Sequence, residues 1–198
     1  MYERNYINPM ITEEERGTRY SSDIFTRMLK DRQIFVVGEV NQDMAISVVS
    51  QMLYLDSISN EDITLVLSSQ GGSCLDGMSI IDTMYNIKSK TNIVCFGLAA
   101  SMGSLILTAG TGVRSLLPHA EVMIHNPSTG MQGQYLDLRN NMEHLERTRE
   151  NLFNIYEKKT NISRTMLEEK LNQDWWLTAE DAVKYGVADE IIAPKHIM

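Results

Sequence analysis

Apolar and polar residues follow two periods along this chain, and the switches between them mark its elements. Short apolar runs at residues 33–37, 63–67 and 93–96 are rich in β-branched side chains and are closed by Gly38, Ser68 and Gly97, which predicts buried strands. Between them, residues 41–55 carry Met44, Val48, Val49, Met52 and Leu53 at helical spacing. Residues 76–88 do the same with Ile80, Ile81, Met84 and Ile87. Ser22 is placed to cap a helix over 23–31, and residues 114–117 and 121–124 predict two further strands. Alternation of this kind predicts an α/β fold of βαβ units around a mainly parallel sheet. Residues 1–17 are polar, end at Gly17 and predict a flexible arm, and residues 18–198 predict a single domain.

Two stretches break the pattern. Between Lys90 and Arg114 no side chain is charged, and that length nearly suffices to cross a bilayer. Gly97, Ser101, Gly103 and Ser104 interrupt it, and the residues change from β-branched to helix-forming at Gly97. The expectation is a buried strand, a tight turn at Gly97 and a buried helix, with no membrane span. Residues 134–160 form a long charged segment with Leu138, Met142, Leu145, Leu152 and Tyr156 spaced three, four or seven apart. So narrow a stripe suits both a helix covering its own domain and one pairing with a neighbour.

Composition narrows the function classes. The 198 residues carry 18 basic and 26 acidic side chains, a net charge of −8, so the basic footprint of a nucleic-acid binder is missing. Cys74 and Cys95 are too few for a disulfide framework and read as reduced thiols of a cytoplasmic protein, in keeping with an N-terminus that has no secretory h-region. Thirteen methionines predict soft interior or interface positions.

Three features compete for the chemistry. Ser101 lies among small residues at a strand-to-helix junction, where a hydroxyl can stand exposed at a helix N-terminus as in a nucleophile elbow, or simply cap the helix. His125 ends an apolar strand before a loop rich in Pro, Ser and Gly, at the sheet edge where α/β sites lie. Gly71 and Gly72 end a strand and let backbone N–H groups approach an anion. Together they supply a nucleophile, a base and oxyanion donors. No Walker A sequence, dinucleotide fingerprint or metal-ligand spacing is present, so no cofactor or metal is expected. Among 26 acids, spacing alone does not choose the third member of a triad.

Ordered matches from about residue 9 to 192 resemble the ClpP family of serine peptidase subunits. They include Glu15-Arg-Gly17, Gln51-Met-Leu-Tyr-Leu55, Gly77-Met-Ser-Ile-Ile-Asp-Thr-Met84 and Ala99-Ala-Ser-Met-Gly103. Val122-Met-Ile-His125, Gln132-Gly-Gln134, Ala179-Glu-Asp-Ala182 and Tyr185-Gly186 continue the series. The resemblance implies a ClpP/crotonase-like spiral of βαβ units in which residues 134–160 form a protruding handle. It implies Ser101 as nucleophile, His125 as base and Asp174 as acid, with Gly72 and Met102 donating to the oxyanion and Gln70, Gly71 and Asn126 touching substrate. It also implies heptameric rings stacked as a tetradecamer that degrades unfolded proteins, fed by a Clp-type AAA+ unfoldase that consumes the ATP.

The chain departs from the family at several points. Gln70 replaces the proline of Ser-Pro-Gly-Gly, Asn126 replaces the glutamine of His-Gln-Pro, and Asn172 and Gln173 stand where an acid and an arginine sense ring stacking. Thr64, Val66 and Asn86 match aromatic positions of the unfoldase-docking pocket. These departures suit a divergent paralogue that docks weakly or shares a mixed barrel with a second ClpP subunit. The alternatives are an attenuated structural or regulatory subunit and a crotonase-type acyl-CoA enzyme.

Overall fold

Backbone pairing begins earlier than the apolar pattern predicts. A computed structural model describes residues 9–15, 17–128 and 130–193, so residues 1–8 of the expected arm lie outside the described residues. Strands β1 (Met10–Glu15) and β2 (Thr18–Asp23) form an antiparallel hairpin, paired from Met10 with Asp23 to Glu15 with Thr18. Its residues are mostly polar, which is why no alternating apolar signal marks it. The Arg27 guanidinium donates to Glu13 at 2.7 Å and fastens the hairpin to helix α1 (Ile24–Lys30). Asp23, rather than Ser22, caps that helix by accepting from the Thr26 N–H at 3.0 Å.

The domain proper runs β3 (Gln33–Val40), α2 (Gln42–Ile58), β4 (Ile63–Gly72), α3 (Cys74–Asn86), β5 (Thr91–Ala100) and α4 (Met102–Ala109). It continues with β6 (Arg114–Leu116), β7 (Glu121–Ile124), α5 (Tyr135–Lys159), α6 (Arg164–Lys170), β8 (Trp175–Leu177), α7 (Ala179–Lys184) and β9 (Glu190–Ile191). The sheet order is β3-β4-β5-β6-β9, all parallel, while β7 pairs parallel with β5 and antiparallel with β8. The mainly parallel α/β architecture expected from the alternation is therefore present. Ile34, Val36, Leu65, Leu67, Ile93 and Cys95 bury one sheet face completely against Val48 and Met52 of α2 and Ile80, Ile81 and Met84 of α3. Every residue of α4 is buried, as its uncharged sequence requires. Among the described residues no helix is long and apolar enough to cross a membrane.

Two strands outrun their predicted ends. β4 continues through Gly71 and Gly72, and β5 passes straight through Gly97, so the tight turn expected there is displaced to Ser101. Gly97 has φ +86° and serves as a bulge rather than a turn. Before it, Ile93–Cys95 pair with β6; after it, Leu98–Ala100 pair with β7. Helix α5 is about 37 Å long at 1.5 Å per residue. Its buried residues, Leu152, Phe153 and Tyr156, all lie in its C-terminal half, whereas Tyr135, Leu136 and Met142 near its start are exposed. The end of the helix thus covers this domain's core, while its beginning leaves apolar side chains exposed.

Candidate active site

The site forms where β5 gives way to α4. Ser101 sits at the junction with φ 54° and ψ −122°, a conformation that L-residues adopt only under strain. Its backbone N–H donates to Met123 O at 2.8 Å, locking the junction to β7. The Ser101 side chain makes no cap hydrogen bond, so the ordinary capping reading of this serine does not hold. Its Oγ instead lies 2.7 Å from His125 Nε2. With the ring proton on Nδ1, the hydroxyl donates to Nε2.

His125 follows β7 directly, and Asp174 precedes β8. In the antiparallel β7–β8 ladder Val122 pairs with Leu177, Met123 with Trp176 and Ile124 with Trp175. One further step in the same register sets His125 opposite Asp174. Nδ1 and the Asp174 carboxylate are 3.5 Å apart, longer than a hydrogen bond, with the side chains 27% and 58% exposed. No other described side chain bonds that carboxylate. The three residues converge although they are 24 and 49 positions apart in chain order, which is 125 − 101 and 174 − 125.

The glycines have different neighbours. A Cβ on Gly71 would stand 2.6 Å from Ser101 Cβ, 2.7 Å from Ala100 O and 2.9 Å from Met102 N, so only glycine lets β4 lie against the elbow. Gly72 is pressed instead against β3, where a Cβ would meet Val40 backbone atoms. Met102 is the first residue of α4, and its N–H has no intrahelical acceptor. The Gln70 amide turns back to β3, within 3.3 Å of Gly38 O and 3.1 Å of Glu39 N in the orientation its neighbours favour. It thereby supports the register shift between Val37 and Glu39. Asn126 is engaged at both ends: it donates to Leu171 O at 2.7 Å and accepts from Arg149 Nε at 3.1 Å.

A narrow recess of about 20 Å³ opens beside Ser101, lined by Cys74, Met102, Leu105, Pro127, Phe153 and Tyr156. Its walls are apolar, and burial pushes the Cys74 thiol up from its ordinary range. Behind it, the Ser104 hydroxyl donates to Ser101 O at 2.7 Å and lies 2.7 Å from the wholly buried Tyr156 hydroxyl. Burial, partly offset by that contact, moves the Tyr156 phenol well above its usual value. Ser104 and Tyr156 hold the elbow from below, and chain spacing could not pair residues 52 apart. The third helical position after Ser101 is the one local signal that marks Ser104.

A strained serine bonded to an imidazole, beside an apolar pocket on a parallel α/β sheet, defines an α/β protein whose site suits acyl chemistry. A family model described as Clp protease matches residues 15–195. The chain therefore belongs to the Clp protease family, and its class is that of a peptidase.

Proposed function

We propose that this chain is a serine endopeptidase subunit that cleaves unfolded proteins into peptides with Ser101, His125 and Asp174. The observation that carries the reading is the 2.7 Å contact between a serine hydroxyl freed from capping and a histidine ring nitrogen. In the acylation step Nε2 of His125 takes the hydroxyl proton as Oγ attacks the scissile carbonyl carbon. The oxyanion accepts N–H groups from Met102 and Gly72. Collapse breaks the C–N bond, the imidazolium gives its proton to the leaving amine, and an acyl-Ser101 remains. Water, deprotonated by the same ring, then attacks the acyl carbon; the C–Oγ bond breaks, the imidazolium returns its proton to Ser101 Oγ, and the carboxylate product leaves. Asp174 stabilises the imidazolium and favours the Nδ1–H tautomer. The apolar walls beside Ser101 favour an apolar over a charged side chain next to the cut.

The working assembly in this reading is a pair of stacked heptameric rings in the cytoplasm. The exposed start of α5 meets its counterpart, and a Clp-type AAA+ unfoldase supplies unfolded chains. Thr64, Val66 and Asn86 offer little apolar surface for a docking loop, which favours weak docking or partnership with a second ClpP subunit. A second reading, an attenuated subunit, is favoured by the 3.5 Å gap between His125 and Asp174. A fluorophosphonate probe and a short fluorogenic peptide with an apolar residue before the cut separate the two. Labelling and turnover that Ser101→Ala abolishes support the peptidase. Ring assembly with neither supports the attenuated subunit.

A further inference from the structure

Asn126 is the joint at which three parts of the site meet. It follows His125 in the chain. Its amide N–H donates at 2.7 Å to Leu171 O, the C-cap of α6 and three residues before Asp174. Its carbonyl accepts at 3.1 Å from Arg149 on α5. The Arg149 guanidinium in turn lies 4.2 Å from the centre of the Phe153 ring, which lines the pocket beside Ser101.

The position of Asp174 needs such a joint. Its carboxylate is largely exposed, stands 3.5 Å from the imidazole and has no other side-chain partner among the described residues. What keeps it opposite His125 is the path of its backbone. On one side that path is set by the β7–β8 ladder, which ends at the Ile124–Trp175 pair. The His125–Asp174 pair lies one step past the last rung. The Asn126–Leu171 bond closes the far side, so the pair sits between ladder and clamp.

We propose that Asn126 is a positioning residue for the base–acid pair: it holds the turn bearing Asp174 against His125, and Arg149 anchors it to α5. In this proposal the Asn126 amide, engaged within the chain at both ends, positions the pair instead of making the substrate contact expected from the sequence. The inference rests on the peptidase reading above. A side chain that acts only through Asp174 has no effect once Asp174 is gone, and a double-mutant cycle reads that directly.

The test is steady-state hydrolysis of the fluorogenic peptide by the assembled protein, with fluorophosphonate labelling of Ser101 run alongside. Asn126→Ala is expected to lower kcat by about tenfold or more with KM within about threefold. Asn126→Gln, which keeps both amide groups, recovers most of the loss. In an Asp174→Ala background, adding Asn126→Ala lowers the residual kcat by less than about twofold. Arg149→Met, which leaves Asn126 in place but unanchored, gives a smaller kcat loss that also disappears in that background. Three results overturn the proposal: a raised KM with unchanged kcat, a full further loss in the Asp174→Ala background, or an Asn126→Ala variant with near-normal kcat. If Asn126→Ala does not assemble, the Arg149→Met pair decides by the same criteria. Wild-type protein that neither labels nor turns over removes the peptidase reading and this inference together, whereas a labelled, active wild type with an indifferent Asn126 removes only the inference.

Discussion

Replacing Ser101 with glycine should cost less stability than replacing it with alanine, the reverse of the usual order. Ser101→Ala keeps a Cβ at φ 54°, so the backbone strain stays while the contact to His125 Nε2 is lost. That contact is worth about 0.5–1.5 kcal/mol. Ser101→Gly loses the same contact but relieves a strain of about 1–3 kcal/mol, because glycine adopts the conformation freely. Against this stands the greater freedom of glycine in the unfolded chain, about 0.5–1 kcal/mol. With central values of 2 and 0.75, the glycine variant comes out about 1 kcal/mol more stable than the alanine variant. For a domain of this size that corresponds to roughly 2–4 °C in Tm. The assay is thermal unfolding of both variants at equal protomer concentration, since assembly adds a concentration-dependent term. Both variants must also fail to label with the fluorophosphonate. An alanine variant that melts at or above the glycine variant would show that the elbow holds no strain, and the argument that Ser101 is held for chemistry would lose its main structural support.

Further outcomes follow from neighbouring contacts. Ser104→Ala leaves the buried Tyr156 hydroxyl without its partner and should cost about 1–3 kcal/mol, whereas Tyr156→Phe, which leaves Ser104 bonded to Ser101 O, should cost less; denaturation midpoints of the two rank them. Gly71→Ala drives a Cβ into Ser101 and Ala100 at φ +90° and should abolish both Ser101 labelling and normal melting. The Arg114 guanidinium, which bonds Asp189, holds that carboxyl below its ordinary range. A depressed carboxylate stabilises the fold above its unfolded value, near 3.9, and that stability is lost as pH falls through the lower folded value. Asp189→Asn should therefore lower Tm at pH 7 and flatten the fall of Tm below about pH 4, read by melting across pH. Cys95, whose thiol burial pushes up to about 12, should resist iodoacetamide until the chain unfolds, as mass spectrometry of the labelled peptides will record.

Much of the sheet was legible because its strands bury one face and their β-branched runs are long enough to announce it. Residues 33–37, 63–67 and 93–96 all proved to be cores of longer strands. Their ends were not legible, because Gly71 and Gly97 read locally as turns and only the neighbouring strands make them bulges. The β1–β2 hairpin escaped for the opposite reason, having almost no apolar side chains to alternate. At the site, small residues flanking Ser101 predicted the elbow, yet they did not distinguish a cap from a freed hydroxyl; that depends on a backbone angle. Asp174 came from resemblance alone, and its place opposite His125 follows from a ladder register between segments some fifty residues apart. The engagements of Gln70 and Asn126 were hidden because each partner is remote in the chain.

The change of partner along β5 has a consequence for how this chain can vary. Because β6 leans on β5 only as far as Cys95, and β7 only from Leu98 onward, the β6 excursion between α4 and β7 is grafted onto a different stretch of strand from the one that carries Ser101. The short β6–β9 edge can be rebuilt without disturbing the rungs at Leu98–Ala100, whereas the turn at residues 117–120 feeds straight into β7, whose Met123 O holds the elbow. The fork thus insulates the reactive end of the sheet from drift at its rim, and it marks the rim as the place to splice in a reporter or an affinity handle.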